Sequence, residues 1–186
     1  MYKKIPYSDA SEILSRYELD QESGMIVRPE MTVDECLKTL ATNKTFLGLI
    51  NFISHALPVR EAVCWAAFLL EKREPEYNHA IKLVRKWIKE PTEKARLNCQ
   101  KEAEKLGTDH AAGWLCLAVN WNGSGSIVAE DLPVVLPTAF LHSKAIFGCV
   151  ALLAPFDDNH RSEFLTEVTT VARSIANGGW PGIKLS

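Results

Sequence analysis

Residues 58–74 read PVREAVCWAAFLLEKRE, and this stretch decides the fold. Pro58 suits the first turn of a helix, where a missing N–H costs nothing. Arg60 and Glu61 fall in that turn. Ala62 to Leu70 then carries no strongly polar side chain, and Glu71-Lys72-Arg73-Glu74 returns the chain to solvent. A helix that is apolar on every side belongs inside a set of other helices. The stretch therefore predicts a central helix over 58–71.

The chain on both sides supplies the surrounding helices. Pro75 opens a helix that runs to about Lys89. At about 100° per residue its Ile81, Val84 and Ile88 fall on one side, and Lys82, Arg85, Lys86 and Lys89 on the other. A charged helix runs from Pro91 to Leu106 and stops at Gly107. HAAGWLCLAVNW, with Asp109 able to cap it, predicts a second buried helix over 110–120, and 141–153 a third. Between these two, WNGSGS reads as a loop and EDLPVVLP as an extended, proline-bounded connection. Asp157 or Asp158 caps a last helix that ends at Asn177-Gly178-Gly179. Towards the N-terminus, Thr32-Val33-Asp34-Glu35 fits a capping box, and a further helix spans Lys44 to Ala56. In residues 1–31, Ser8 or Asp9 caps a short helix, Gly24 ends local order and GMIVRPEM gives at most one edge strand. Helical periodicity with little alternation argues an all-α fold: an irregular bundle of antiparallel helix pairs, about eight helices in all. The expected organisation is an N-terminal extension (1–31), one helical domain (32–179) and a C-terminal tail (180–186).

Composition agrees. The 186 residues are 47% apolar and 24% charged, with a net charge of −2. That is an ordinary globular balance, too neutral overall for nucleic-acid binding. The charge is uneven, because residues 71–105 hold ten basic and seven acidic side chains. The nearly uncharged stretch from Leu132 to Phe156 is broken by Pro133, Pro137 and Pro155, so it does not read as a membrane span. MYKKIPYSDASEIL has no apolar core of a signal peptide. The expectation is a cytoplasmic protein without membrane insertion. Cys36, Cys64, Cys99, Cys116 and Cys149 show no zinc spacing and read as reduced thiols, and Cys64, Cys116 and Cys149 sit in apolar runs.

Catalytic signatures are missing. WNGSGS lacks the Lys of a P-loop and the spacing of a nucleophile elbow. The histidines His55, His79, His110, His142 and His160 form no metal motif. His55 ends an apolar helix, where a cation would complement the dipole. Glu61 is the best carboxylate for acid–base work, yet its place in a first helical turn beside Arg60 also explains it structurally. No nucleophile, base and orienting group can be assembled. The chain reads as a non-enzyme, with no catalytic, cofactor or metal residues.

Leu57-Pro58-x-Arg60-Glu61-Ala62-Val63-x-Trp65-Ala66 resembles the LPxREAVWWA segment of a bacterial family of unknown function, with Cys64 where the family has another Trp beside Trp65. Trp87 with Pro91 and Arg96, Ala112-Gly113-Trp114, Trp121-x-Gly123-Ser124, Pro133 and Pro137, Val150-Ala151-Leu152-Leu153 and Ile175 to Gly178 follow in the family's order. The resemblance covers roughly residues 40–179. Members look like cytoplasmic helical proteins encoded among type VI secretion components. It implies an adaptor or co-chaperone that helps load an effector onto the secretion spike, and it brings no catalytic residues.

Candidate partner-binding residues follow from position. Lys82, Arg85, Lys86 and Lys89 form the basic stripe, suited to an acidic protein partner. Trp121 and Trp180 lie at loop boundaries, where an exposed indole makes a good anchor. Trp65 and Trp114 sit in apolar helices and read as core, while Arg60 and Glu61 form a structural motif. Two alternatives stand beside the adaptor: an immunity protein that neutralises a cognate toxin, and an enzyme whose site gathers Glu61, Arg60 and His55.

Overall fold

The computed structural model describes residues 1–128 and 132–183. Within them run ten α-helices: α1 (Ser11–Leu14), α2 (Gln21–Ile26), α3 (Val33–Thr42), α4 (Phe46–Ala56), α5 (Val59–Arg73), α6 (Asn78–Lys89), α7 (Glu93–Leu106), α8 (Ala111–Asn120), α9 (Leu141–Leu152) and α10 (Asp158–Ala176). A 3-10 turn at Pro75–Tyr77 precedes α6. Helix takes up 64% of the described residues, which contain no strand, and eight helices have seven residues or more. The fold is all-α, as the periodicity of the sequence requires.

Burial arranges the helices around α5, α8 and α9. Helix α9 packs on α4, α5 and α8, and α5 also touches α6, α8 and α10. Ala62 to Ala67 is buried without interruption, so α5 has no solvent face along that run. Trp65 is wholly enclosed, and its indole N–H donates to the Val168 carbonyl of α10 at 3.1 Å. A large apolar surface is buried there with its one polar atom satisfied.

Side chains set many helix ends. Thr32 and Glu35 form the reciprocal capping box of α3, Thr92 accepts from Ala95 N at α7, and Asp157 accepts from His160 N at α10. Gly107 ends α7 at φ +70°, in the left-handed region. Four ends differ from the sequence reading. Neither Ser8 nor Asp9 caps α1, whose N-cap is Ala10 with no side-chain cap. Asp109 does not cap α8, because the N-cap is His110 and Asp109 lies one residue too early. Lys44 stays outside α4, in the left-handed region at φ 55°. Gly24 does not end local order but sits inside α2, which Asp20 caps by accepting from Ser23 N. Most of the anticipated edge strand is therefore helical or turn, and among the described residues only an isolated Asp9–Thr32 bridge has strand character. Gly48 makes the α2–α4 approach possible, since a β-carbon there would collide with the Ser23 hydroxyl.

Both termini are tied to this core. Ile5, Ala10, Ile13, Leu14 and Val27 are buried in it, and Lys4 N donates to the Ala176 carbonyl at 2.8 Å. Ile183 is buried in it too. The remaining tail residues 184–186 lie outside the described residues, as do Glu130 and Asp131 of the connection read as extended. From Leu132 on, that connection is non-helical, with Ile127 N donating to Val135 O at 2.9 Å. All five cysteines are buried and free. The adjoining Cys99 thiol and burial push Cys116 well above the usual thiol range, and burial pushes Cys64 up to about 12. Protonated, buried thiols are inert packing groups.

Candidate partner-binding surface

The strong amphipathicity of α6 builds this surface. Ala80, Ile81, Val84, Trp87 and Ile88 are buried against neighbouring helices, which turns Lys82, Lys86 and Lys89 to solvent. With Arg85 and Glu90 they line a shallow depression of about 410 Å³. Among the described residues none of the three lysines is in an ion pair. Arg85 behaves differently. It is half-buried, donates to the Gly182 carbonyl at 2.8 Å and pairs with Glu71. Its charge is spent on holding the C-terminal tail, and the free part of the stripe is three lysines.

Arg60 closes the lower end of the same helix. It lies in the first turn of α5 and donates to the carbonyls of Ile88 and Lys89, the latter at 3.2 Å. These carbonyls belong to the last turn of α6, where no intrahelical donor remains. The guanidinium also lies over the Trp180 ring at 5.1 Å, and Lys4 Nζ approaches that ring at 5.9 Å. Trp180 is thus half-buried beneath two cations and serves as a cover for the α5–α6 junction. Glu61 is buried and pairs with Lys4 at 3.3 Å. The segment around residue 60 thus joins three distant parts of the chain.

The other tryptophans have local roles. Trp121 is half-buried after α8, packs against the core and donates its backbone N–H to Leu117 O at 2.8 Å. Trp114 is half-buried rather than enclosed. Its indole N–H donates to Thr108 O at 2.8 Å, and its ring lies against Gly148, where an added β-carbon would come within 3.1 Å.

The three residues grouped for catalysis do not converge. His55 is buried at the end of α4, with Nδ1 bonded to Asn51 O at 2.9 Å and its ring 4.6 Å from that of Tyr17. Burial holds its pKa below the usual value, so it does not supply the helix-end cation expected from sequence. Arg16, and not Glu61 or Arg60, lies against it, donating to the His55 carbonyl at 2.6 Å. Among the described residues no group of three His, Cys, Asp or Glu side chains is placed to hold a metal ion. No described helix is long and apolar enough to cross a membrane.

One polar centre had no role in the sequence reading. Arg96 of α7 is 1% exposed. It forks onto Glu93 at 2.6 and 2.7 Å, and donates to the side chain of Asn120 and to its carbonyl at 3.2 Å. Gly125, from the WNGSGS loop, closes over the guanidinium. Arginine at that spacing from Trp87 and Pro91 was visible, but its partner Asn120 sits 24 positions away on another helix.

No curated protein and no solved structure matches the chain. From Cys36 in α3 to Ala176 at the end of α10, the match is to one family, and the chain belongs to it: the family of unknown function DUF6931, residues 36–176.

Proposed function

We propose that this protein is a binding protein rather than an enzyme: an accessory component of a bacterial type VI secretion system, acting as an adaptor or co-chaperone for an effector or spike-associated protein. The secretion context comes from the resemblance of the segment around LPVREAVCWA and the pieces that follow it. The binding role rests on one observation, the three exposed and unpaired lysines of α6 around a shallow depression. Like charges on one arc repel each other, and an acidic partner surface relieves that repulsion. Exposed charge of this kind chiefly raises the association rate and weakens with salt.

Co-purification from the native host, with the captured proteins identified by mass spectrometry, tests both parts. Type VI components should be recovered with the wild type at low salt and lost with Lys82→Glu/Lys86→Glu. Recovery of the same components by the charge-reversed variant removes α6 from the interface. Capture of a toxin that loses activity when bound replaces the adaptor role by immunity.

A further inference from the structure

The chain holds two Asn-Gly pairs, Asn122-Gly123 and Asn177-Gly178. Each lies just past a helix, α8 and α10 respectively, and in each the glycine is left-handed at φ +97°. In such a pair the glycine nitrogen can attack the side-chain amide of the asparagine before it, because glycine has no β-carbon to block the approach. The two sites differ in how their atoms are engaged. Asn177 is exposed, but its Nδ2 is turned back to the Arg173 carbonyl at 3.0 Å, and Gly178 N donates to Ile175 O at 2.8 Å. Asn122 is half-buried, so exposure alone would favour Asn177. Yet Asn122 Oδ1 accepts from Ser124 N at 2.8 Å, and its Nδ2 donates to Val119 O at 2.7 Å. A bond that spans only two residues folds the side-chain carbonyl back over the Gly123 peptide and draws electrons from Cγ. Gly123 N–H has no partner among the described residues, so no bond has to break before its proton leaves.

We propose that Asn122 is a site of spontaneous deamidation, and that the altered loop loosens over Arg96. Gly123 N loses its proton and attacks Asn122 Cγ. The N–Cγ bond forms, the Cγ–Nδ2 bond breaks, and ammonia leaves with the proton. Water then opens the cyclic imide at either carbonyl. Cleavage at Cγ gives aspartate. Cleavage at the main-chain carbonyl gives isoaspartate, whose backbone is one carbon longer. Both products place a carboxylate just past the C-terminus of α8, the end of a helix where negative charge is disfavoured. The longer backbone also displaces Gly125, which lies so close over Arg96 that a β-carbon there would stand 2.6 Å from Nε.

The test is peptide mapping by mass spectrometry of the purified full chain, aged in warm, mildly alkaline buffer. Asn122 should convert at least about fivefold faster than Asn177, since Gly178 N–H must first leave Ile175 O and a hydrogen bond is worth about that factor. In the chain unfolded in urea the two rates should converge, because both are then bare Asn-Gly pairs. Methylation by an isoaspartyl methyltransferase should mark the Asn122 peptide. The aged protein, separated by its extra negative charge, should unfold at a lower urea concentration than the fresh protein. Equal rates at the two asparagines in the folded chain, or faster loss of Asn177, overturn the assignment of the site. So does a folded chain that keeps Asn122 under conditions where the unfolded chain loses it. Aged protein with an unchanged urea midpoint overturns the loosening of the loop.

Discussion

Arg96 and Gly125 offer the sharpest test of the packing argument. Arg96→Ala withdraws the donors from the Asn120 carbonyl and side chain, and Asn120 is itself buried. An orphaned buried acceptor costs about 1–3 kcal/mol. Glu93 is about half exposed, so its separated carboxylate returns to water and adds at most about 1 kcal/mol. The expected loss is therefore about 1–4 kcal/mol. Gly125→Ala is damaging for a different reason. Its β-carbon would stand 2.6 Å from Arg96 Nε and 2.7 Å from Cζ, and the guanidinium cannot retreat while it is bonded on two sides. Overpacking of that kind costs about 1–3 kcal/mol. Once the guanidinium is gone the methyl group has room, so Gly125→Ala should cost little in the Arg96→Ala background. Urea unfolding of the four proteins, followed by circular dichroism, reads the cycle. A coupling of about 1–3 kcal/mol is expected. Additivity within about 0.5 kcal/mol would mean that loop and arginine are independent, and the reasoning fails.

Acid should weaken the fold through His142, whose pKa burial and the nearby His55 and Arg16 charges hold down to about 4. A histidine depressed in the folded state stabilises fully above its unfolded value of about 6.5. That contribution is lost as the pH falls from there towards 4, by on the order of 3 kcal/mol, so His142→Gln should flatten melting temperature against pH across this window. Gly113→Ala should destabilise by several kcal/mol in chemical denaturation, because its β-carbon would collide with the Gly107 carbonyl, a backbone atom. Glu61→Gln weakens the Lys4 pair and should speed amide exchange in the first residues more than in α5; uniform protection across both would show that the pair anchors nothing.

The core helices were readable because their signals are local. Ala62 to Leu70 declares its own burial, Thr32 and Glu35 their own cap, and both act within a few residues. The differences arise where a distant contact decides. Gly24 looks like a stop, yet Asp20 caps the turn and Gly48 of another helix gives α2 room to dock. Trp114 lies in an apolar helix, but its place is set by Thr108 and by Gly148 of α9, and it remains half-buried. The almost complete exposure of Phe156 was invisible for the opposite reason. It stands alone between a proline and a helix cap, outside any periodic pattern that would assign it a face.

The stripe on α6 shows how far a charge count carries. Sequence gives Lys82, Arg85, Lys86 and Lys89 one face and one sign, and treats them as equivalent. In the structure all eight arginines of the chain donate to a carbonyl or carboxylate of the chain itself. The planar fork of arginine makes two bonds at little entropic cost, so it is the cation that a fold recruits to fasten helix ends, loops and tails. Arg60 fastens α6, Arg85 the tail, Arg96 the end of α8 and Arg161 the turn behind Phe156. The lysines of α6 are left over. A lysine is a hydrated point charge on a flexible stem, well suited to attracting an acidic surface and poorly suited to fixing its register. Register must then come from rigid apolar features, and the arginines are what hold those features in place.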